Sequence, residues 1–263
     1  MSDDFNINEV QVNFDFKGFL FKLLSYWPLF VISLAIAFGV AYYINVRKLP
    51  SYKMDTLITI KDDQNPFFTT NTSLTFNWGG TTDKVNTSVV TLRSRSHNEE
   101  VVDKLQYYVN YKRDGKYQLV DAYKQTPFFV EVDTAKRQLL GQQFKIVFKD
   151  SVNFVLSTVF ENDANRTFQR YNETKEKKRD FVPAQTLQEN YKIGQAIASP
   201  YFNGTLLPNG DVPVIPNENY YISFSNFDSA VKGYTSVAVN PAGQGSSVLN
   251  LSLVGKNKAR IVD

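Results

Sequence analysis

From Leu23 to Val46 the chain carries no charged residue. About 20 consecutive apolar residues cross the hydrocarbon core of a bilayer as a helix, and this run is long enough. Phe30, Ile32 and Leu34 lie in its apolar body. Tyr26 and Trp27 sit at one end, and Tyr42 and Tyr43 at the other. Those are the positions of the two aromatic belts of a spanning helix. Lys22 and Arg47 bracket the run, and Pro28 falls in its first turn, where a missing N–H is tolerated. A cleavable signal peptide has a short basic leader and a small-residue cleavage site. Here the leader holds Asp3, Asp4, Glu9 and Asp15 against Lys17 and Lys22, and no A-x-A pattern follows. The run therefore reads as an uncleaved transmembrane anchor. Its orientation is contested: Arg47, Lys48, Lys53 and Lys61 outnumber Lys17 and Lys22, which by the positive-inside rule would hold the large segment in the cytoplasm.

Composition narrows the chemistry. The 263 residues include no Cys, which removes disulfides, thiolate metal sites and a Cys nucleophile. A single His, His97, removes His-rich metal cages, and it reads as an ordinary helix residue. The net charge of +3 is too balanced for a nucleic-acid footprint. An aromatic share of 14% leans toward β-structure. Gly255-Lys256 lacks the earlier glycine of a Walker loop, Gly243-x-Gly245 is a turn, and H-E-x-x-H and G-x-S-x-G are absent. No catalytic, cofactor-binding or metal-ligating residue is assigned, and this stretch of chain reads as no enzyme.

Beyond the anchor the pattern is mixed α+β. Tyr52 to Ile60 reads as a strand and Asp62 to Gly80 as a polar loop in which Phe67, Phe68, Phe76 and Trp78 are apolar points. Asp83 to Tyr108 reads as two helices, or one kinked helix, joined at Ser96, where Ser96 and Glu99 form a capping box. Asp114-Gly115 marks a hairpin turn, and Leu119 to Lys124 a short helix. Strands are expected at Phe128–Asp133, Phe144–Lys149, Asn153–Phe160 and Tyr220–Phe224. The charge run Lys175 to Asp180 reads as a solvated turn and Pro200 to Pro216 as loop. Phe227 to Tyr234 is a short helix capped by Asn226, Ser236–Asn240 and Ser247–Leu253 are paired strands, and a helix begins after Lys256.

The order of these parts resembles a known family. An acidic leader and one span run into Pro50-Ser51-Tyr52-Lys53-Met54-Asp55-Thr56-Leu57-Ile58-Thr59-Ile60. Then come Leu92-Arg93-Ser94-Arg95-Ser96 with Val101-Val102-Asp103-Lys104-Leu105, Tyr123-Lys124-Gln125-Thr126-Pro127-Phe128, Gly245-Ser246-Ser247-Val248-Leu249 and Asn257-Lys258-Ala259-Arg260-Ile261-Val262-Asp263. This resembles the chain-length-determinant (Wzz-like) domain of polysaccharide co-polymerases, in the variant joined to Bacteroidetes-type tyrosine autokinases. The resemblance implies a cytoplasmic leader (1–22), a transmembrane helix (23–46), and a chain-length-determinant domain in two parts (47–127 and 222–263) around a β-rich insertion (128–221). It implies an α+β extracytoplasmic domain in the periplasm, anchored in the bacterial inner membrane, against the Lys/Arg count. It also implies exopolysaccharide or capsule biosynthesis and export through a homo-oligomeric scaffold, with partners in the bilayer, the polymerase and export machinery and nascent polysaccharide. Family members continue into a helical hairpin and a second span, and some into a kinase domain. The chain is thus expected to be a piece of a longer protein. The alternative is a single-span, membrane-anchored binding or sensor ectodomain.

Overall fold

The computed structural model describes residues 16–60, 83–235, 237–243 and 246–263. The loop expected from Asp62 to Gly80, with its four aromatic residues, lies outside them, as does most of the leader. The chain divides into two compact units, Met1–Lys48 and Leu49–Asp263.

The first unit holds two helices, α1 (Phe16–Ser25) and α2 (Trp27–Arg47). Helix is thus already present before Leu23, and the long apolar helix starts four residues later than the uncharged run. The reason is Pro28. It cannot donate to the carbonyl of Leu24, and it disfavours helical geometry at Trp27. Tyr26 breaks the ladder there with φ −94° and ψ 12°, and its carbonyl accepts from Leu29 N at 3.0 Å to start the next helix.

The second unit is mixed α+β, as expected. Its elements in order are β1 (Tyr52–Thr59), α3 (Asp83–Arg93), α4 (Arg95–Lys104), β2 (Val109–Asp114), β3 (Leu119–Asp121), β4 (Phe128–Val132), β5 (Gln138–Leu139), β6 (Phe144–Phe148), β7 (Asn153–Phe160) and β8 (Ala164–Gln169). There follow β9 (Lys177–Val182), β10 (Gln185–Lys192), β11 (Ala196–Ala198), β12 (Asn203–Pro208), β13 (Asn219–Phe224), α5 (Phe227–Thr235), β14 (Ala238–Pro241), β15 (Val248–Gly255) and α6 (Lys258–Val262). They form four antiparallel sheets, ordered β1-β15-β14, β10-β7-β6-β13-β2-β3, β11-β12-β4 and β5-β8-β9.

Alternation explains the main core. Phe144, Ile146 and Phe148 on β6, Tyr220, Ile222 and Phe224 on β13, and Phe128, Val130 and Val132 on β4 are all buried, with wetter residues between them. Period-2 burial of this kind leaves one face of each strand on the core. Val102 and Tyr108 join this core from the helical side, and Phe227 and Val231 from α5. The region 128–221 is β-rich: its strands make up the β11-β12-β4 and β5-β8-β9 sheets, and its β6, β7 and β10 enter the central sheet. Within the central sheet β6 pairs with β13, and β13 with β2.

The β1-β15-β14 sheet has its own small core. Val85 on α3 packs with Val239 and Leu249, supported by Val89 and Leu92. The Val85, Val89, Leu92 spacing in the sequence is the face that does this.

Several local expectations change. The α3–α4 break is capped by Ser94, not Ser96: Ser94 has extended geometry and its Oγ accepts from His97 N at 3.2 Å. Glu99 is used instead in an ion pair with Arg95 at 2.6 Å. Leu119 to Asp121 is strand, hydrogen-bonded to β2, not helix. The charge run enters β9, an edge strand whose exposed face tolerates Lys177, Lys178 and Arg179. The Pro/Asn/Gly-rich stretch contains β12. Gly204 allows it, because a Cβ there would sit 2.6 Å from the Glu131 carbonyl oxygen on the neighbouring strand.

Candidate functional site

Two features stand out: the apolar helix of the first unit, and a cleft in the second.

Helix α2 is 21 residues long, about 31 Å at 1.5 Å per residue. That matches the hydrocarbon thickness of a bilayer, about 30 Å. Its mean hydropathy is 2.1 and none of its most apolar window is buried. The seven residues singled out from the sequence all face outward: Tyr26 (57% exposed), Trp27 (64%), Phe30 (68%), Ile32 (55%), Leu34 (42%), Tyr42 (73%) and Tyr43 (57%). A helix that is apolar on every side is stable in a protein core or in lipid, and no protein core covers this one among the described residues. Its polar exceptions are handled locally. Ser33 Oγ donates to the Phe30 carbonyl at 2.9 Å, and the Arg47 guanidinium lies 4.0 Å from the centre of the Tyr43 ring. The second contact places a cation over an aromatic face at the helix end. Tyr42 and Tyr43 fall about 22–24 Å along the axis from Trp27, which places aromatic residues near both ends of the helix. Among the described residues, one helix is thus long and apolar enough to cross a membrane.

The cleft, about 260 Å³, opens between the β1-β15-β14 sheet, α4 and α6. Its floor is apolar: Met54, Leu251, Leu253 and Val239 from the sheet, and Val101 from α4. His97 stands at its wall, half-buried. The opposite wall is built by the final helix; Tyr123, Lys124 and Asn257 to Asp263 lie in the family-like segments of the sequence, but none of them carried a site role on sequence grounds. Asn257, buried, caps α6 by accepting from Ala259 N at 2.8 Å and Arg260 N at 3.2 Å. Its amide donates to Asp121 Oδ1 at 3.1 Å and to the carbonyls of Asp121 and Tyr123, each at 3.2 Å. Arg260 stacks over Tyr123 at 4.6 Å and Tyr107 at 5.3 Å, and its Nε lies 3.4 Å from Asp121 Oδ2. Tyr123 donates its hydroxyl to Asp263 at 3.0 Å, and Lys124 reaches the same carboxylate at 2.6 Å. Tyr107 stacks on Tyr234 at 4.6 Å. Gly255 lets the chain turn back, since a Cβ there would meet Ile261 Cγ2 at 2.5 Å.

Burial pushes the Tyr107 and Tyr123 hydroxyls well above the usual phenol range, and lifts Tyr111 to about 12. These groups stay protonated at neutral pH. They donate hydrogen bonds and stack, and do not act as bases. Among the described residues, no three His, Cys, Asp or Glu side chains gather closely enough to hold a metal ion. The arrangement suits packing and apolar or aromatic contact. An Asn before a helical turn is the sequence signal that could have exposed this wall.

No protein-family model matches this chain, and no curated protein matches it.

Proposed function

We propose that this chain is a membrane-anchored subunit of the polysaccharide co-polymerase kind, a chain-length determinant for an exopolysaccharide or capsule. In this reading α2 spans the bacterial inner membrane, the leader is cytoplasmic and the α+β unit is periplasmic. The subunit self-associates beside the polymerase and export machinery, touches the growing polymer, and performs no chemistry in this segment. One observation carries the reading. The apolar helix leads, after a short link, into β1, and β1 pairs along its whole length with β15, so that Tyr52 lies opposite Gly255. The strand feeding the last helix therefore returns to the end of the sheet where the anchor is joined. That arrangement supports a wall closed at its membrane-proximal base, which sets length by scaffolding.

The test is genetic and physical. Deleting the gene in the bacterium that carries it shifts the length distribution of its surface polysaccharide on a gel, and the full chain restores it. An unchanged distribution overturns the proposal.

The cleft favours a second reading, a single-span ectodomain that binds a small ligand on its aromatic wall. Thermal shifts of the full chain with a panel of mono- and oligosaccharides separate the two. A saturable shift with short ligands, together with an unaltered polymer length in the deletion strain, selects the sensor.

A further inference from the structure

We propose that α1 lies flat in the headgroup layer of the membrane that α2 crosses, with its apolar side on the acyl chains and Lys17 and Lys22 on anionic phospholipid headgroups. Length places it there. Helices α1 and α2 take up 10 and 21 residues on either side of Tyr26. A continuous helix over that stretch would be about 48 Å long, against about 30 Å of hydrocarbon. Helix α2 fills that thickness by itself. Helix α1 therefore ends where Tyr26 and Trp27 mark the interface, with no hydrocarbon core left to cross.

The break between the helices lets it lie down. Tyr26 departs from helical backbone geometry, with φ −94° and ψ 12°, and Pro28 can donate no hydrogen bond to the Leu24 carbonyl. Helix α1 is thus not bound to the axis of α2. Standing in water, it would leave large apolar side chains wet: Phe19 is 50% exposed, Leu20 43% and Phe21 76%.

The sequence pattern gives α1 two sides. Wound at about 100° per residue, Phe16, Phe19, Leu20, Leu23 and Leu24 fall within an arc of about 140°. Gly18 and Ser25 lie opposite. Lys17 and Lys22, both exposed, flank the arc, one on each side. Phe21 alone of the apolar residues falls outside it. This is the layout of an interfacial helix, whose lysines reach from an apolar bed to the phosphates. Charge agrees. Asp3, Asp4, Glu9 and Asp15 all precede α1, while α1 itself has two lysines and no acid. An anionic surface attracts the helix and repels the stretch before it. Seated in this way, α1 is a float that fixes the depth of α2 in the bilayer.

This inference rests on the membrane anchor in the proposed function and not on the polymer. The chain has no cysteine, so Gly18→Cys, Leu20→Cys and Leu34→Cys each carry a single nitroxide label. The full chain is placed in vesicles of phosphatidylethanolamine and phosphatidylglycerol at about 7:3. Collisions of the label with oxygen, which partitions into lipid, are compared with collisions with a water-soluble nickel chelate. The oxygen-to-nickel ratio is highest for Leu34→Cys, and about fivefold higher for Leu20→Cys than for Gly18→Cys. Lys17→Gln with Lys22→Gln, or vesicles of phosphatidylcholine alone, cuts the Leu20→Cys ratio at least about twofold. Nickel access at both 18 and 20 leaves α1 in water and overturns the proposal. Oxygen dominance at both buries it and overturns the proposal equally. A ratio indifferent to the lysines and to lipid charge overturns the pairing with anionic headgroups. Nickel access at Leu34→Cys overturns the anchor itself.

Discussion

Replacing Asn257 with alanine tests whether the final helix is truly docked. The side chain is buried and makes five polar contacts of 2.8–3.2 Å, two accepted from the first turn of α6 and three donated toward Asp121 and Tyr123. Loss of an N-cap costs about 1 kcal/mol. Loss of the buried amide donor adds about 1–2 kcal/mol, since the acceptors it served stay desolvated. The expected loss is about 2–3 kcal/mol. For a unit of this size each kcal/mol moves the melting temperature by about 2–4 °C, so the unit Leu49–Asp263 should melt about 5–10 °C lower. Asn257→Ser keeps a capping oxygen but cannot reach Asp121, and should fall about midway. The assay is thermal unfolding of the full chain in detergent, followed by circular dichroism. Helix α2 stays helical in the micelle and contributes a constant background. A shift under about 2 °C for Asn257→Ala would refute the docking of α6. Equal loss in the Ser and Ala variants would refute the cap, and assign the whole effect to the amide donor.

Three further outcomes follow from other sites. Gln138, fully buried, accepts from Asn203 N at 2.8 Å and donates to the Asn203 carbonyl at 2.9 Å; Gln138→Leu keeps the bulk, strands both groups and costs about 2–3 kcal/mol in a denaturant titration. Asp228 is held below the usual carboxylate range by Lys177 at 2.6 Å and then Arg95 at 2.5 Å. A lowered folded pKa gives stability that is present above the unfolded value, about 3.9, and lost as pH falls through the folded value. The pair is half-exposed, so the effect is screened to below about 1 kcal/mol. Asp228→Asn should melt slightly lower than the parent at pH 7, and the two curves should converge as pH falls below the usual carboxylate range. Leu34→Arg puts a charge in the middle of α2 at a cost of about 2.5–3.5 kcal/mol of insertion free energy. It should move the protein from the carbonate-resistant membrane fraction toward the soluble or degraded pool, and unchanged fractionation would refute the anchor.

What the sequence revealed, and what it hid, follows from how local each signal is. Alternation over five residues was enough for β4, β6 and β13, because each buries one face on the same core. The Val85, Val89, Leu92 face was legible for the same reason. The anchor needed no partner to be read, since lipid asks only for length and apolarity. Strand β9 was hidden because an edge strand with a wet face satisfies its charges in water, and so looks like a solvated turn. Strand β12 was hidden because Gly204 reads as a loop residue, although here it is the only residue type the Glu131 carbonyl leaves room for. The helix cap was misplaced because Ser96 fits the capping-box spacing as well as Ser94 fits the geometry. The cleft was invisible for a deeper reason. Arg260, Asp121, Tyr107 and Tyr123 come from opposite ends of the unit, and β1 meets β15 only after most of the chain has intervened. A pairing so distant in sequence leaves no periodic trace in either strand. Yet it carries the proposed function, because it brings Tyr52 and Gly255 together at one end of the sheet.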